Sequence, residues 1–380
     1  MGMRVSCLQE NLSRGLNIVS RAVGTRTTLP VLSNVLLQTD NGRLRLVATN
    51  LEMSITAWIG ASVEEDGAIT VPARTLNDLV NTLSPERVDL EVAVRTNALH
   101  LVCGATTANI KGIDAYEFPP IPEPTEDDFV LAIPAAEFKE AINMVAFAAA
   151  RDDSRPILTG VSVSLNEDVL TLAAADGFRL SVKRIALESS DHPPFTLVVP
   201  ARTLLEVARV ITDDDEFVQL VLPPDRAQAL FFVENAQVVS QLIDGTFPDF
   251  QQIIPRDVET RTVLYTADVL RAARRADIFA REANNTVRFS IEPQDGMAGI
   301  VRVRAQASET GENEVLLDAS IEGEGVEVAF NVRYLIDVLN VIPHDQIVLK
   351  TIRADKPGVI QPLNDDSFTH VVMPMHIGGR

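Results

Sequence analysis

Four consecutive acidic residues could bind a divalent cation, since carboxylate oxygens are the ligands that Mg²⁺ and Ca²⁺ prefer. This run comprises Asp213, Asp214, Asp215 and Glu216. One hypothesis is therefore a metal-dependent hydrolase. The alternative is a solvated acidic loop, because the run follows a predicted helix at a probable turn. A lack of cation-dependent activity or binding would exclude the hydrolase.

No other catalytic constellation is present in the sequence. A phosphate-binding glycine loop, a nucleophile elbow, a zinc-binding H-E-x-x-H and a dinucleotide-binding glycine fingerprint are all missing. The five histidines are scattered, and Cys7 and Cys103 offer neither a disulfide framework nor a paired-cysteine metal motif. We therefore predict that the chain is not an enzyme and uses neither a cofactor nor a metal.

One short segment recurs along the chain. Residues 71–76 (VPARTL) return unchanged at 199–204, and residues 330–335 (FNVRYL) keep the arginine and the leucine. The offsets of 128 and 131 positions indicate one unit written three times. In each copy a strand runs into a short amphipathic helix that carries the arginine near its first turn.

The repeat extends over whole domains. Leu44, Leu46 and Ala48 match Leu170, Leu172 and Ala174, with the period-two alternation of half-buried antiparallel strands. Each copy also contains two amphipathic helices, and proline-rich segments separate the copies. We predict an α+β fold with three repeated domains at residues 1–122, 123–254 and 255–380.

Composition favours a soluble protein in a reducing compartment. The chain has 46% hydrophobic residues, two cysteines and a formal net charge of -20. No apolar run reaches the roughly 20 residues of a membrane span. These features predict a cytoplasmic protein. An evenly spread negative charge would oppose nucleic-acid binding, but the acids concentrate in turn-like runs while several arginines lie in helical stretches.

Several blocks, in order, make the chain resemble the bacterial DNA polymerase III β sliding clamp over nearly its full length. They are TLPVLSN at 28–34, LEM at 51–53, VPAR at 71–74, DGFRL at 176–180, DGTFPD at 244–249, FNVRYLIDVLN at 330–340 and VVMPM at 371–375. The resemblance implies a clamp fold in which two chains join head to tail as a ring around duplex DNA. Helices would line the hole, and the chain would be cytoplasmic and nucleoid-associated.

The resemblance also implies contacts with DNA that do not read sequence. The residues that would make them are Arg26, Arg74, Arg151, Arg155 and Arg202. Sparse cations suit a ring that slides, because every phosphate held tightly adds about 0.9 to the salt slope of binding.

A second implied site is a pocket for short clamp-binding peptides of the replicative polymerase, the clamp loader and repair polymerases. The residues it would use are Leu158, Gly177, Phe178, Arg179, Leu180, Pro248, Ile253, Asn331, Tyr334, Val371, Met373, Pro374 and Met375. Methionine and aliphatic side chains give an adaptable apolar surface for such peptides. Without the resemblance, residues 371–375 read as a buried final strand.

The dimer interface implied by the family sets Ile278 and Phe279 of one chain against an edge strand near Ala108 and Ile110 of the other. The alternative to a clamp is a repeat-built protein-interaction scaffold without a DNA role. Charge reversal at Arg74 and Arg202 separates the two, since unchanged loading and processivity would favour the scaffold.

Overall fold

The structure is a computed structural model that describes residues 2–24, 29–93, 96–188, 192–224, 227–296 and 298–376. Within these ranges it contains 24 β-strands and six α-helices. No helix in the described ranges is both long enough and apolar enough to cross a membrane.

The elements follow the order that the repeat predicts. Residues 1–122 contain β1 (Arg4–Leu8), α1 (Gln9–Val19), β2 (Asn34–Asp40), β3 (Arg43–Thr49), β4 (Met53–Glu65), β5 (Ala68–Pro72), α2 (Ala73–Val80), β6 (Arg87–Ala93), β7 (Ala98–Cys103) and β8 (Thr106–Lys111). Residues 123–254 contain β9 (Phe129–Pro134), α3 (Ala135–Val145), β10 (Gly160–Asn166), β11 (Val169–Ala175), β12 (Arg179–Ala186), β13 (Phe195–Pro200), α4 (Ala201–Val210), β14 (Phe217–Leu222), β15 (Gln228–Val233) and β16 (Ala236–Gln241). Residues 255–380 contain β17 (Thr260–Tyr265), α5 (Thr266–Ala280), β18 (Thr286–Pro293), β19 (Ala298–Ala307), β20 (Gly311–Gly323), β21 (Val326–Asn331), α6 (Val332–Val341), β22 (Gln346–Thr351), β23 (Gly358–Pro362) and β24 (Phe368–Val372).

Hydrophobic periodicity explains both element types. In α2 the buried residues are Ala73, Leu76 and Val80, the spacing of one face of a helix. In β6 burial alternates strictly, with Val88 and Leu90 inside and charged neighbours outside. The predicted α+β class with antiparallel strands is therefore confirmed.

The chain forms two compact units that divide it differently from the predicted thirds. Unit 1 comprises residues 1–139 and 206–242, and unit 2 comprises residues 140–205 and 243–380. The boundaries predicted from the repeat stay a prediction.

Each unit is built on one 12-stranded sheet. In unit 1 the order is β8-β7-β6-β1-β4-β16-β15-β14-β9, with β2, β3 and β5 branching from β4. In unit 2 the order is β13-β10-β11-β12-β24-β23-β22-β17-β20-β19-β18-β21.

A strand junction at the middle of each sheet joins segments that are far apart in sequence. In unit 1, β4 pairs antiparallel with β16, and Ala57 lies opposite Ala236. In unit 2, β12 pairs antiparallel with β24, and Lys183 lies opposite Phe368. These two junctions position the residues discussed below.

Candidate functional site

The tight loop between β11 and β12 in unit 2 is held by its own first side chain. The Asp176 carboxylate accepts hydrogen bonds from the backbone N–H of Phe178 at 2.9 Å and of Arg179 at 3.0 Å. Gly177 adopts a φ of 92°, a conformation that residues with a Cβ rarely take. The loop therefore turns sharply and projects Phe178, which is 60% exposed.

Arg179 is buried beneath this loop. Its guanidinium donates to Asp176 at 3.0 Å, to Asp337 at 2.7 Å and to the carbonyl of Phe147 at 3.0 Å. It also lies over the Tyr334 ring, 4.4 Å from the ring centre, a favourable cation–π geometry. Because only 4% of its side chain is exposed, Arg179 supports the loop from below and does not present its charge to a ligand.

An apolar cluster lies beside the loop. Leu158, Leu180 and Val371 are buried in it together, and Phe247 joins them. Ile157, Ile243, Phe250 and Ile254 pack on it while staying partly exposed. The structure thus brings together the predicted pocket residues Leu158 and Leu180 and the distant Val371.

The final described segment passes over the same region. Strand β24 is buried throughout, as the simple strand interpretation of residues 371–375 requires, but it ends at Val372. The N–H of Met373 then donates to the carbonyl of Phe178 at 2.8 Å, and Met373 is 39% exposed. Val371 thus belongs to the core, whereas Met373 lies at the surface, and the peptide-binding role of these residues stays a prediction.

The remaining predicted pocket residues have varied surroundings. Pro248 is exposed and Ile253 is 41% exposed. Asn331 caps α6 by accepting from the N–H of Arg333 at 3.0 Å, so its side chain has a structural role. Pro374 is half-buried, and Met375 accepts a weak hydrogen bond from Thr286 at 3.5 Å.

The predicted DNA-contacting arginines are surface residues where they are described. Arg74 on α2 has a side chain that is 95% exposed and lies 3.7 Å from Asp78. Arg151 is exposed, as is Arg202 on α4. Arg26 lies outside the described residues.

Arg155 is the predicted DNA-contacting residue with the most specific surroundings. Its guanidinium donates to the carbonyl of Asp176 at 3.0 Å. A Cβ on Gly177 would come within 3.0 Å of it. Arg155 therefore holds the loop beside the apolar cluster and also lies at the exposed surface.

The residues predicted at a dimer interface include an exposed apolar side chain and a strand edge. Ile278 on α5 is 62% exposed, whereas Phe279 packs against the core of unit 2. Strand β8, which carries Ala108 and Ile110, is the terminal strand of its sheet and pairs with β7 alone among the described strands.

The acidic run at 213–216 forms a structured turn. Asp215 accepts from the N–H and the hydroxyl of Thr212 at 2.7 and 2.8 Å, and from the N–H of Glu234 at 3.1 Å. No group of three or more residues in the described ranges has the arrangement of a metal site.

Three family models match consecutive parts of the chain. They describe the N-terminal, central and C-terminal domains of the DNA polymerase III beta subunit and match residues 3–122, 132–249 and 251–376. Together they span nearly the whole sequence. The chain belongs to the DNA polymerase III beta subunit family.

Relatives in this family match end to end. The beta sliding clamp of Synechococcus elongatus is 33% identical over 380 residues, covering 99% of this chain and 100% of the relative. The beta sliding clamp of Synechocystis is 31% identical, with 99% of this chain and 100% of the relative covered.

Solved structures of the family agree. The sliding clamp of Bacillus subtilis superposes with a TM-score of 0.92 at 27% identity and full coverage of both chains. A sliding clamp of Pseudomonas aeruginosa bound to griselimycin superposes with a TM-score of 0.90 at 28% identity, covering 99% of this chain and all of that one.

Sequence reasoning missed several residues of the pocket region. Phe147 and Asp337 hold Arg179, and Phe247 completes the apolar cluster. Phe247 lies beside Pro248 in a segment whose prolines predict a connector between copies. Asp337 lies in the block at 330–340 that carries the resemblance, and no local signal marks its partnership with an arginine 158 positions away.

Proposed function

We propose that this chain is a DNA sliding clamp, a non-enzymatic factor that encircles duplex DNA and tethers the replicative polymerase to it. The observation that carries the proposal is the end-to-end match to all three domains of the beta subunit family. The role places the protein in the cytoplasm, on nucleoid DNA. The described residues add exposed arginines on helices, including Arg74 and Arg202.

The internal repeat supports a specific head-to-tail dimer. Strands β4 and β20 are equivalent, and each is 13 residues long. The second half of each pairs with the first strand of its own repeat, β1 or β17. The first half of β4 pairs with β16, the last strand of another repeat. The first half of β20 has no such partner among the described strands, and neither has the outer edge of β8.

The equivalence fixes the register of the proposed interface. Since Ala236 lies opposite Ala57, Thr106 of one copy should lie opposite Val315 of the other. Ala108 then lies opposite Asn313.

The exposure of Ile278 on helix α5 supports the same interface between copies. Ile278 is equivalent by the repeat to Arg21 and to Phe147. Arg21 lies 3.7 Å from Glu206 of α4, and Phe147 stacks on His370 with ring centres 5.7 Å apart. Two of the three equivalent positions are thus engaged, whereas Ile278 is exposed. A second copy would cover it.

We further propose that partner peptides bind at the apolar cluster of unit 2, beside Phe178 and Met373. Buried Leu158, Leu180 and Val371 supply its floor. Phe178, Ile253 and Met373 supply exposed apolar surface around it. Exposed apolar side chains beside a buried apolar floor are typical of peptide-binding sites.

Retention on closed DNA tests the clamp role. Loaded onto nicked circular DNA by a clamp loader, the protein should stay bound until the circle is linearised and then be lost from the ends. Equal retention on linear and circular DNA would contradict encirclement. Open circles and linear molecules of the same sequence give matched substrates.

The arginines can be tested on the same substrates by neutral substitution. Because the proposed ring holds two copies of the chain, Arg74→Gln and Arg202→Gln should each lower the salt slope of DNA binding by about 1.8 if each arginine contacts one phosphate. Arg333→Gln is the matched control, because the third copy of this arginine lies 3.9 Å from Asp277. An unchanged slope in both test variants would remove these residues from the DNA surface.

A further inference from the structure

We propose that the open edge of β9, in unit 1, binds an extended segment of a partner protein as an added antiparallel strand. β9 ends the path of its sheet and pairs with β14 alone among the described strands. Such an edge presents unpaired backbone N–H and C=O groups that another strand can use. It belongs neither to the predicted DNA surface nor to the predicted peptide pocket.

The register of β9 shows which backbone groups are open. The N–H of Ala135, directly after β9, donates to the carbonyl of Glu216, directly before β14, at 3.0 Å. Hydrogen-bonded and non-hydrogen-bonded pairs alternate along an antiparallel ladder, and β9 pairs with β14 without a register shift. The N–H and C=O groups of Val130 and Ala132 therefore point away from β14, and neither residue makes a hydrogen bond on that side with any described residue.

Other terminal strands of the two sheets are covered by single residues of the chain. The N–H of Ile113 donates to β5 at 2.9 Å, that of Ile243 to β13 at 2.9 Å and that of Met375 to β21 at 2.8 Å. The edge of β8 is the one assigned above to a second copy. Among the described strands, β9 is thus the terminal strand that still lacks a cover.

The internal repeat shows what a cover looks like. Strands β1, β9 and β17 are equivalent, because the first helical residue after each, Gln9, Ala135 or Thr266, donates its N–H to the residue before β6, β14 or β22. The second half of β4 covers β1, and the second half of β20 covers β17. Their equivalent β12 has eight residues where β4 and β20 have 13, so it lacks this second half.

The sequence of the covering half is also missing from the middle copy. The residues that cover β1 and β17 are ASVE at 61–64 and ASIE at 319–322. The middle copy has LESS at the equivalent positions 187–190. It has no β-branched apolar residue where the other copies have Val63 and Ile321. The chain therefore keeps β9 without a matching covering sequence of its own.

The outward side chains of β9 favour an apolar occupant. In the other two copies Arg4 and Arg261 take the place of Val130, and each faces a glutamate of the covering strand, at 3.9 and 3.7 Å. Exposed edges usually carry charges that prevent association with other strands. Here the open edge is the uncharged one, since Val130 is 44% exposed and Ala132 is exposed. An apolar side chain of the occupant should therefore lie opposite Val130.

Charge selects the kind of partner. Glu126, Asp127 and Asp128 directly precede β9, so the C-terminal end of an antiparallel occupant lies beside carboxylates, which favours lysine or arginine there. A net charge of -20 opposes a second copy of this chain as the occupant. The peptide ASIVTK represents the partner: its first three residues copy 319–321, its valine lies opposite Val130, and its lysine lies opposite Asp128.

Amide hydrogen exchange of the full-length protein, read at single residues, tests whether the edge is open. In the free protein the N–H groups of Val130 and Ala132 should exchange at least about tenfold faster than those of Leu131 and Ile133, which bond to β14. Acetylated and amidated ASIVTK should slow the exchange of Val130 and Ala132. The matched control is ASIPTK, which has the same charge but no N–H opposite Val130. Slow exchange at Val130 and Ala132 without peptide, or equal protection by both peptides, would overturn the proposal.

A change of specificity tests the pairing itself. Val130→Arg copies Arg261, so this variant should prefer ASIETK, which restores the glutamate of β20, over ASIVTK. The ratio of the two affinities should change by about tenfold, measured by fluorescence anisotropy of labelled peptides. Val169→Arg, at an exposed apolar residue of another strand, should leave the ratio unchanged. An unchanged ratio in Val130→Arg would overturn the proposal.

Proline at the edge separates a partner segment from a second copy. Ala132→Pro removes an N–H that points to the open side and none that bonds to β14, so it should abolish ASIVTK binding with little change in urea unfolding. Retained binding would contradict the site. If Ala132→Pro instead lowers the mass of the particle in sedimentation, a second copy occupies the edge, and the partner segment is excluded. Val130→Arg keeps the test decisive if Ala132→Pro fails to fold.

Discussion

The strand junctions of the two units share one backbone and differ in side chains. In unit 1 the Asn50 side chain accepts from the N–H of Glu52 at 3.0 Å and of Met53 at 2.8 Å. In unit 2 Asp176 does the same for Phe178 and Arg179. The backbone N–H of Gln241 donates to the backbone carbonyl of Glu52 at 2.8 Å, just as the N–H of Met373 donates to the carbonyl of Phe178 at 2.8 Å.

The substitutions at equivalent positions make unit 2 the more apolar junction. Ser54 and Thr56 of unit 1 correspond to Leu180 and Val182 of unit 2, and all four are buried. Thr70 corresponds to Val198, and its hydroxyl donates to the carbonyl of Ile113 at 3.0 Å. The difference teaches that the repeat sets the backbone arrangement, while a few side chains decide whether the junction contains a buried apolar cluster.

The largest expected effect comes from replacing Arg179 of unit 2 with methionine, the residue at the equivalent position of unit 1. Arg179→Met leaves Asp337 and Asp176 without their buried cation, and we expect the free energy of unfolding in urea to fall by about 3 kcal/mol. Arg333→Gln, an exposed arginine, is the control. The double variant Arg179→Met with Asp337→Asn should recover part of the loss. Full stability in the single variant would show that the cation is dispensable.

The second prediction uses His370, whose counterpart in unit 1 is Val238. Complete burial, with a smaller contribution from the charge of Arg179, lowers the pKa of His370 to about 3. Its ring nitrogen lies 2.8 Å from the Ser181 hydroxyl. Because the unfolded state takes up the proton first, stability is complete above pH 6.5 and falls at lower pH, by up to about 1.4 kcal/mol per unit.

Urea unfolding measured between pH 6.5 and 5 checks this slope. The double variant His370→Val with Ser181→Ile copies Val238 and Ile55 of unit 1. Its free energy of unfolding should lack the pH dependence that His370 contributes, whatever its absolute stability. A slope equal to that of the unchanged protein would assign the pH dependence to other groups.

The third prediction extends the comparison to the proposed junction between copies. Ile278→Asp places a charge where a second copy should pack, so the dimer dissociation constant should rise at least about tenfold, measured by sedimentation. Val169→Asp, at another exposed apolar residue, is the control. Equal dissociation constants for the two variants would place the interface elsewhere.

The smallest expected effect concerns Phe178, which corresponds to Glu52. Phe178→Glu should weaken binding of a peptide from the tail of the replicative polymerase by about 1 kcal/mol, or about fivefold. Fluorescence anisotropy of a labelled peptide measures it. The reciprocal Glu52→Phe should leave affinity unchanged. Undiminished binding to Phe178→Glu would exclude this side chain from the peptide surface.

Much of the fold was accessible from periodicity. The alternation along β6 and the apolar face of α2 are local patterns, and the recurrence of VPARTL revealed the repeat. The regrouping of strands into two sheets was not accessible. The pairing of β12 with β24 joins segments nearly 190 residues apart, such as Ser181 and His370, and no local pattern specifies such a partner.

The candidate pocket was also only partly accessible from the sequence. The resemblance named its residues, but it did not give the role of each side chain. Arg179 was expected at the ligand surface and is buried on Asp337 and Tyr334. Arg155 was expected on DNA and also holds the loop at Asp176.

By itself, the sequence determined the repeat, the element types, the family and the exposed arginine on α2, because these depend on residue spacing and composition. The tertiary structure alone decided which side chains lie together, that Arg179 is buried beneath the loop before β12, and that Ile278 is exposed. The physical reason is that burial and ion pairing depend on neighbours brought together by long-range strand pairing, which local sequence does not encode.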